Sequence, residues 1–134
     1  MAAVGIVLTR GDFAAIHSAV SLATGYGALG KQVHLVLAWG ALRKLMRGDF
    51  DAVEVDDAAG LDVGAVAAIR DAQLPSQWET LQELRELGLL RVYGCSGSAA
   101  GLGYSVDEVT AKVGEVVGAT SFLDGMETAE LVVI

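Results

Sequence analysis

The chain has 134 residues, 53% apolar and 19% charged, with 17 Gly, one Pro, one Cys and a formal net charge of −8. A mean hydropathy of +0.49 excludes a disordered chain and points to one packed domain over residues 1–134. A single thiol excludes an intrachain disulfide and a Cys-x-x-Cys zinc site, and the acidic balance argues against nucleic acid as a partner.

No apolar run approaches the roughly 18 residues that cross a bilayer, so no membrane association is expected. The start, Met-Ala-Ala-Val-Gly-Ile-Val-Leu, lacks a basic n-region and reads as a first strand, not a signal peptide. With one free cysteine, a reducing cytoplasm is the expected location. Charge divides unevenly: through Arg47 five bases face Asp12 alone, and the remainder carries four bases against sixteen acids. That asymmetry is either solvated charge or a basic patch for an acidic partner.

Val4 to Leu8 is a continuous apolar run followed by Thr9-Arg10-Gly11-Asp12, the pattern of a buried parallel strand. Asp12 is an N-cap for a helix whose apolar positions Phe13, Ile16, Val20, Ala23 and Tyr26 recur until the Gly-rich stretch Gly25 to Gly30 stops it. Val33 to Ala38 reads as a second strand, and Gly40 to Met46 as a short helix with cations at its C-terminus. Residues 48 to 62 concentrate Asp49, Asp51, Glu54, Asp56, Asp57 and Asp62 and read as a surface loop. A calcium loop would need Gly at its sixth position and Glu at its twelfth, which the spacing lacks.

Val63 to Leu74 is weakly helical and ends at Pro75. Ser76 with Glu79 forms a capping box before a helix reaching Gly88, and Leu89 to Tyr93 is the third strand. Ser105 with Glu108 is a second capping box, opening a helix through about Lys112. Val116-Val117, a helix over 121–126 and a strand over 131–134 complete the chain. Strands alternating with helices predict a single three-layer α/β domain, flavodoxin/Rossmann-like, on a mostly parallel sheet of about five strands.

In such sheets, sites gather at the carboxyl ends of the strands. Three loops fall there: 9–12, 38–41 and 94–103. The last holds Cys95, followed by Ser96, Gly97 and Ser98. A thiol between a strand and a helix N-terminus meets N–H donors that favour the thiolate; otherwise it is a small buried hydrophobe. The chain has no resolving cysteine, and a Cys-x5-Arg phosphatase loop would need Arg where Gly101 stands. A Cys-His hydrolase would need His17 or His34, which fall in the first helix and second strand and read as structural. Persulfide carriage needs only one accessible thiol with N–H donors.

Gly25-Tyr26-Gly27-Ala28-Leu29-Gly30 spells G-x-G-x-x-G but closes a helix, whereas the dinucleotide fingerprint opens one. The backbone over 94–103 could instead cradle a small anion. Arg10 is either an electrostatic partner of the thiolate or a solvated turn cation, Trp39 either a cleft wall or a packing residue, and Tyr104 a packing residue. The candidate site is therefore Cys95 as nucleophile, with Gly94, Ser96, Gly97, Ser98, Arg10 and Trp39 around it, and neither cofactor nor metal is expected.

The segments Val4-Gly-Ile-Val-Leu-Thr, Val33-His-Leu-Val-Leu-Ala-Trp-Gly-Ala-Leu-Arg-Lys-Leu, Leu87-Gly-Leu-Leu-Arg-Val-Tyr-Gly-Cys-Ser and Val117-Gly-Ala-Thr-Ser-Phe-Leu, in that order, resemble the DsrE/DsrF-like sulfur-relay family over nearly the whole chain. The resemblance implies a small α/β protein that forms homotrimers or homohexamers. It also implies a cysteine, aligned with Cys95, that takes sulfane sulfur from a donor protein and passes it to an acceptor as a persulfide. The long acidic segment 48–62 departs from the family pattern. Two other readings of the residues stand beside this one: an anion- or nucleotide-binding module without chemistry, and a non-catalytic oligomeric scaffold subunit.

Overall fold

The computed structural model of the chain describes residues 2–134. Five strands form one all-parallel sheet in the order β4-β3-β2-β1-β5: β1 (Ala3–Leu8), β2 (Gln32–Leu37), β3 (Leu90–Cys95), β4 (Val116–Val117) and β5 (Glu130–Val133). Seven α-helices connect them: α1 (Phe13–Ala28), α2 (Trp39–Met46), α3 (Val63–Asp71), α4 (Gln77–Glu86), α5 (Ser96–Leu102), α6 (Val106–Val113) and α7 (Ala119–Gly125). The expected three-layer flavodoxin/Rossmann-like α/β domain is what forms, with every strand pair parallel.

Side-chain alternation along each strand separates the two faces of the sheet. Val4, Ile6, Leu8, Val33, Leu35, Leu37, Leu90 and Val92 point to one face and are buried beneath α1, α2, α4, α5 and α6. Val7, Val36, Tyr93 and Cys95 point to the other, where Phe122 and Met126 from the α7 region pack. Chain direction explains this imbalance. The crossovers β1→β2→β3→β4 step one way across the sheet, so a common right-handed twist lays their helices on one face. The crossover from β4 to β5 returns the other way and carries α7 to the opposite face.

Local signals in the sequence hold with corrections. Asp12 caps α1 by accepting from the Ala15 N–H at 3.0 Å, and Asp62 caps α3 through the Ala65 N–H at 2.8 Å. Helix α1 runs through Gly25 and Gly27 instead of stopping there, because Gly27 packs on Leu84 and Leu89, and the chain turns only at Gly30, with φ +80°. The two capping boxes differ. Ser105 and Glu108 form the full reciprocal pair, whereas at Ser76 only the hydroxyl half is present. There the second cap comes from Asp51 of the acidic segment, which accepts from the N–H groups of Gln77 and Trp78 and from the Ser76 hydroxyl.

The acidic segment is thus a largely exposed strap fixed at a few points. Its own Phe50 and Leu61 are buried, Asp56 caps a 3-10 turn over Asp57–Ala59, and Lys44 donates to the Ala52 carbonyl at 2.7 Å. Burial lowers the Lys44 pKa, against the raising influence of Glu54 and Asp49. Among the described residues no group of three or more His, Cys, Asp or Glu gathers as a metal site, and no helix is long and apolar enough to cross a membrane.

Candidate functional site

Cys95 is not a loop residue. Strand β3 runs through it, with Gly94 opposite Val116 and Cys95 opposite Val117 on β4, and α5 begins at the next residue. The expected break after Tyr93 fails because the Gly94 N–H is needed in the sheet, donating to the Glu115 carbonyl at 2.8 Å. Cys95 therefore serves as both last strand residue and N-cap of α5. Its Sγ accepts from the Ser98 N–H at 3.5 Å, and its side chain is half-buried.

The thiol lines a cleft of about 150 Å³ between α7 and the carboxyl ends of the strands. Strands β1 and β2 and the turn after β2 contribute Val7, Val36 and Ala38; Val117, Gly118, Ala119, Phe122 and Leu123 supply the opposite wall. Alternation explains why Val7, Val36, Cys95 and Val117 meet: each is on the sheet face that α7 only partly covers. Gly118 carries the chain out of β4 beside Ser96, where a Cβ would lie in ordinary contact, 3.5 Å from the Ser96 Oγ.

Of the seven residues expected to form the site, only Cys95 lines this cleft. Gly94 is buried on the opposite face, where a Cβ would lie 2.4 Å from Val109 Cγ1; its missing side chain admits α6. Ser96 and Gly97 flank the thiol in the first turn of α5, and a Cβ on Gly97 would lie 4.0 Å from Cys95 Sγ. Ser98 gives its N–H to the sulfur, but its hydroxyl oxygen is buried without a hydrogen-bond partner. Arg10 forms a two-pronged ion pair with Asp12 at 2.9 and 3.1 Å, so its charge belongs to the α1 cap and not to the thiol.

Trp39 opens α2 with φ +39°, is 51% exposed and lays its indole against Gly101 of α5, where a Cβ would lie 2.7 Å from the ring. It braces the helix that Cys95 caps and does not wall the cleft. Tyr104 packs on the main core, as expected. The residues that sequence reasoning missed are Val7, Val36 and the 117–123 wall. Their signal is the odd-numbered alternation along β1 and the even-numbered one along β2, which shows which apolar positions share a face but not which face α7 leaves open.

Below the cleft, the same sheet face becomes polar. His34 Nδ1 and the Tyr93 hydroxyl are hydrogen-bonded at 2.9 Å, and Arg91 pairs with Glu115 while its guanidinium sits 5.5 Å from the Tyr93 ring centroid. Burial, then the Arg91 charge, lowers the His34 pKa; burial raises that of Tyr93. His34 is therefore a structural partner, as the sequence suggested, and it faces away from His17, which stacks on Phe13 in α1.

The fold and this cleft define the chain as an α/β domain with a single thiol at a strand carboxyl end. No family model matches it, and no curated protein matches it.

Proposed function

We propose that this chain is a cytoplasmic sulfur-relay protein that carries sulfane sulfur on Cys95. The supporting observation is the position of the thiol: at the carboxyl end of β3, partly open to a cleft, with its sulfur receiving a backbone N–H from Ser98. In the first step the Cys95 thiolate attacks the outer sulfur of a donor persulfide, forming Cys95–S–SH as the donor thiolate leaves. In the second, an acceptor thiolate attacks that outer sulfur and Cys95 leaves as thiolate. Each step exchanges one sulfur–sulfur bond for another, so no external oxidant or reductant is consumed.

The partners in this reading are a sulfur donor protein, an acceptor protein and further copies of the chain in a homotrimer or homohexamer. Assembly is favoured by Leu131 and Val133, 47% and 66% exposed on edge strand β5. The relay is tested by incubating the protein with inorganic polysulfide and weighing it intact. Wild type should gain one sulfur atom per chain, released by dithiothreitol, and Cys95→Ser should gain none. A chain that gains no sulfur while Cys95 alkylates no faster than in denaturant is not a sulfur carrier.

A further inference from the structure

We infer that the cleft beside Cys95 binds a small, uncharged, apolar group of about the size of a benzene ring, and that Cys95 exchanges sulfur with compounds carrying such a group in preference to anionic ones. The recognition of an apolar group stands on the cleft alone; its use in sulfur exchange rests on the relay reading above.

The lining carries no charged residue and no side-chain hydrogen-bonding group other than the thiol. That sulfur already accepts the Ser98 N–H. The two cations that flank this part of the sheet are engaged elsewhere: Arg10 with Asp12 and Arg91 with Glu115. An anionic ligand entering the cleft would lose water and find no counter-charge, which is costly. An apolar one would exchange water for Val7, Val36, Val117 and Phe122, which is favourable. The volume sets the scale: the cleft is about 150 Å³ and open on one side, and an enclosed apolar cavity of about that volume in another protein takes up benzene.

Two measurements test this. In the first, benzene is titrated into Cys95→Ser protein and methyl resonances are followed by NMR. Saturable shifts at Val7, Val36, Val117 and Leu123 are expected, and their absence overturns the proposal. This result does not depend on sulfur chemistry, so it can stand if polysulfide loading fails.

The second measurement compares two thiosulfonates of opposite character on the native protein, each normalised to its rate on denatured chain. Benzyl methanethiosulfonate and 2-sulfonatoethyl methanethiosulfonate react alike: the Cys95 thiolate attacks the sulfenyl sulfur, a mixed disulfide forms, and methanesulfinate leaves with the bonding pair. The normalised ratio should favour the benzyl reagent by about tenfold or more, the scale expected for burying a phenyl-sized surface. A smaller ratio overturns the proposal. Leu123→Lys places a cation on the cleft rim at a position already 53% exposed. It should cut the benzyl preference at least about threefold, and an unchanged preference also overturns the proposal.

Discussion

A methyl group added at Gly94 would lie 2.4 Å from Val109 Cγ1, whereas one added at Gly25 would meet nothing within 4 Å. The two substitutions should therefore move stability in opposite directions. Gly94→Ala forces α6 away from β3 and should cost about 1–3 kcal/mol; Gly25→Ala, on the exposed side of α1, should add about 0.5–1 kcal/mol by helix propensity. Thermal or denaturant unfolding of the pair checks both. Ser98 makes a sharper case. Its side chain is 1% exposed and its hydroxyl has no partner, so Ser98→Ala should leave stability unchanged or raise it by up to about 1 kcal/mol. A loss of stability would show that the hydroxyl is hydrogen-bonded in solution.

His34 adds a pH dependence at the same scale. Its folded pKa lies below the ordinary 6.5, chiefly through burial and then through Arg91, with Glu115 opposing. The unfolded chain therefore takes up this proton at higher pH than the folded one. The sign follows directly: the contribution is complete above pH 6.5 and is lost as pH falls from there through the folded pKa. Melting temperature should fall less steeply between neutral pH and about pH 5 in His34→Gln than in wild type. Equal slopes would remove His34 from the account.

At the scale of elements, the acidic segment shows how charge that looks unassigned in sequence becomes structural. Asp51 supplies α4 with a second cap from 26 residues upstream, taking the Gln77 N–H and the Ser76 hydroxyl. Asp51→Ala should cost about 1–2 kcal/mol and fray the first turn of α4. Hydrogen exchange at Gln77, Trp78 and Glu79 would localise the effect, and Glu54→Ala, whose carboxylate caps nothing in the structure, serves as its control. Helix caps adjacent to their helix were legible from sequence at Asp12 and Ser105, while Asp62, read only as an acid of the loop, also caps its helix. A cap delivered across a strap was not legible, because nothing local marks Asp51 out from its acidic neighbours.

For the whole molecule, the decisive feature is the unequal cover of the sheet. Five helices bury one face, while among the described residues α7 alone covers the other, and β5 leaves Leu131 and Val133 exposed beside it. If these residues meet another copy of the chain, as the proposed assembly requires, Val133→Lys should lower the mass measured by light scattering with little loss of stability. A mass equal to the monomer's in wild type would sink the assembly. The bases of the first half divide between the two readings of their charge: Arg10 is tied to the Asp12 cap and Lys44 to the Ala52 carbonyl, while Arg43 and Arg47 are exposed and line one surface hollow with Lys44, Asp49 and Glu54.

By itself the sequence determined the alternation of strands and helices, the parallel sheet and the carboxyl-end position of Cys95, because these follow from local periodicity, caps and the chemistry of a short apolar strand. It could not determine the partners of that thiol. Gly94, Arg10 and Trp39 lie close to Cys95 or to strand ends in the chain, yet they face α6, Asp12 and Gly101. Val7, Val36 and Phe122, distant in sequence, share the cleft with the thiol instead. Strand order and the direction of the last crossover decided that, since they set which face of the sheet α7 returns to and how much of it one seven-residue helix can cover.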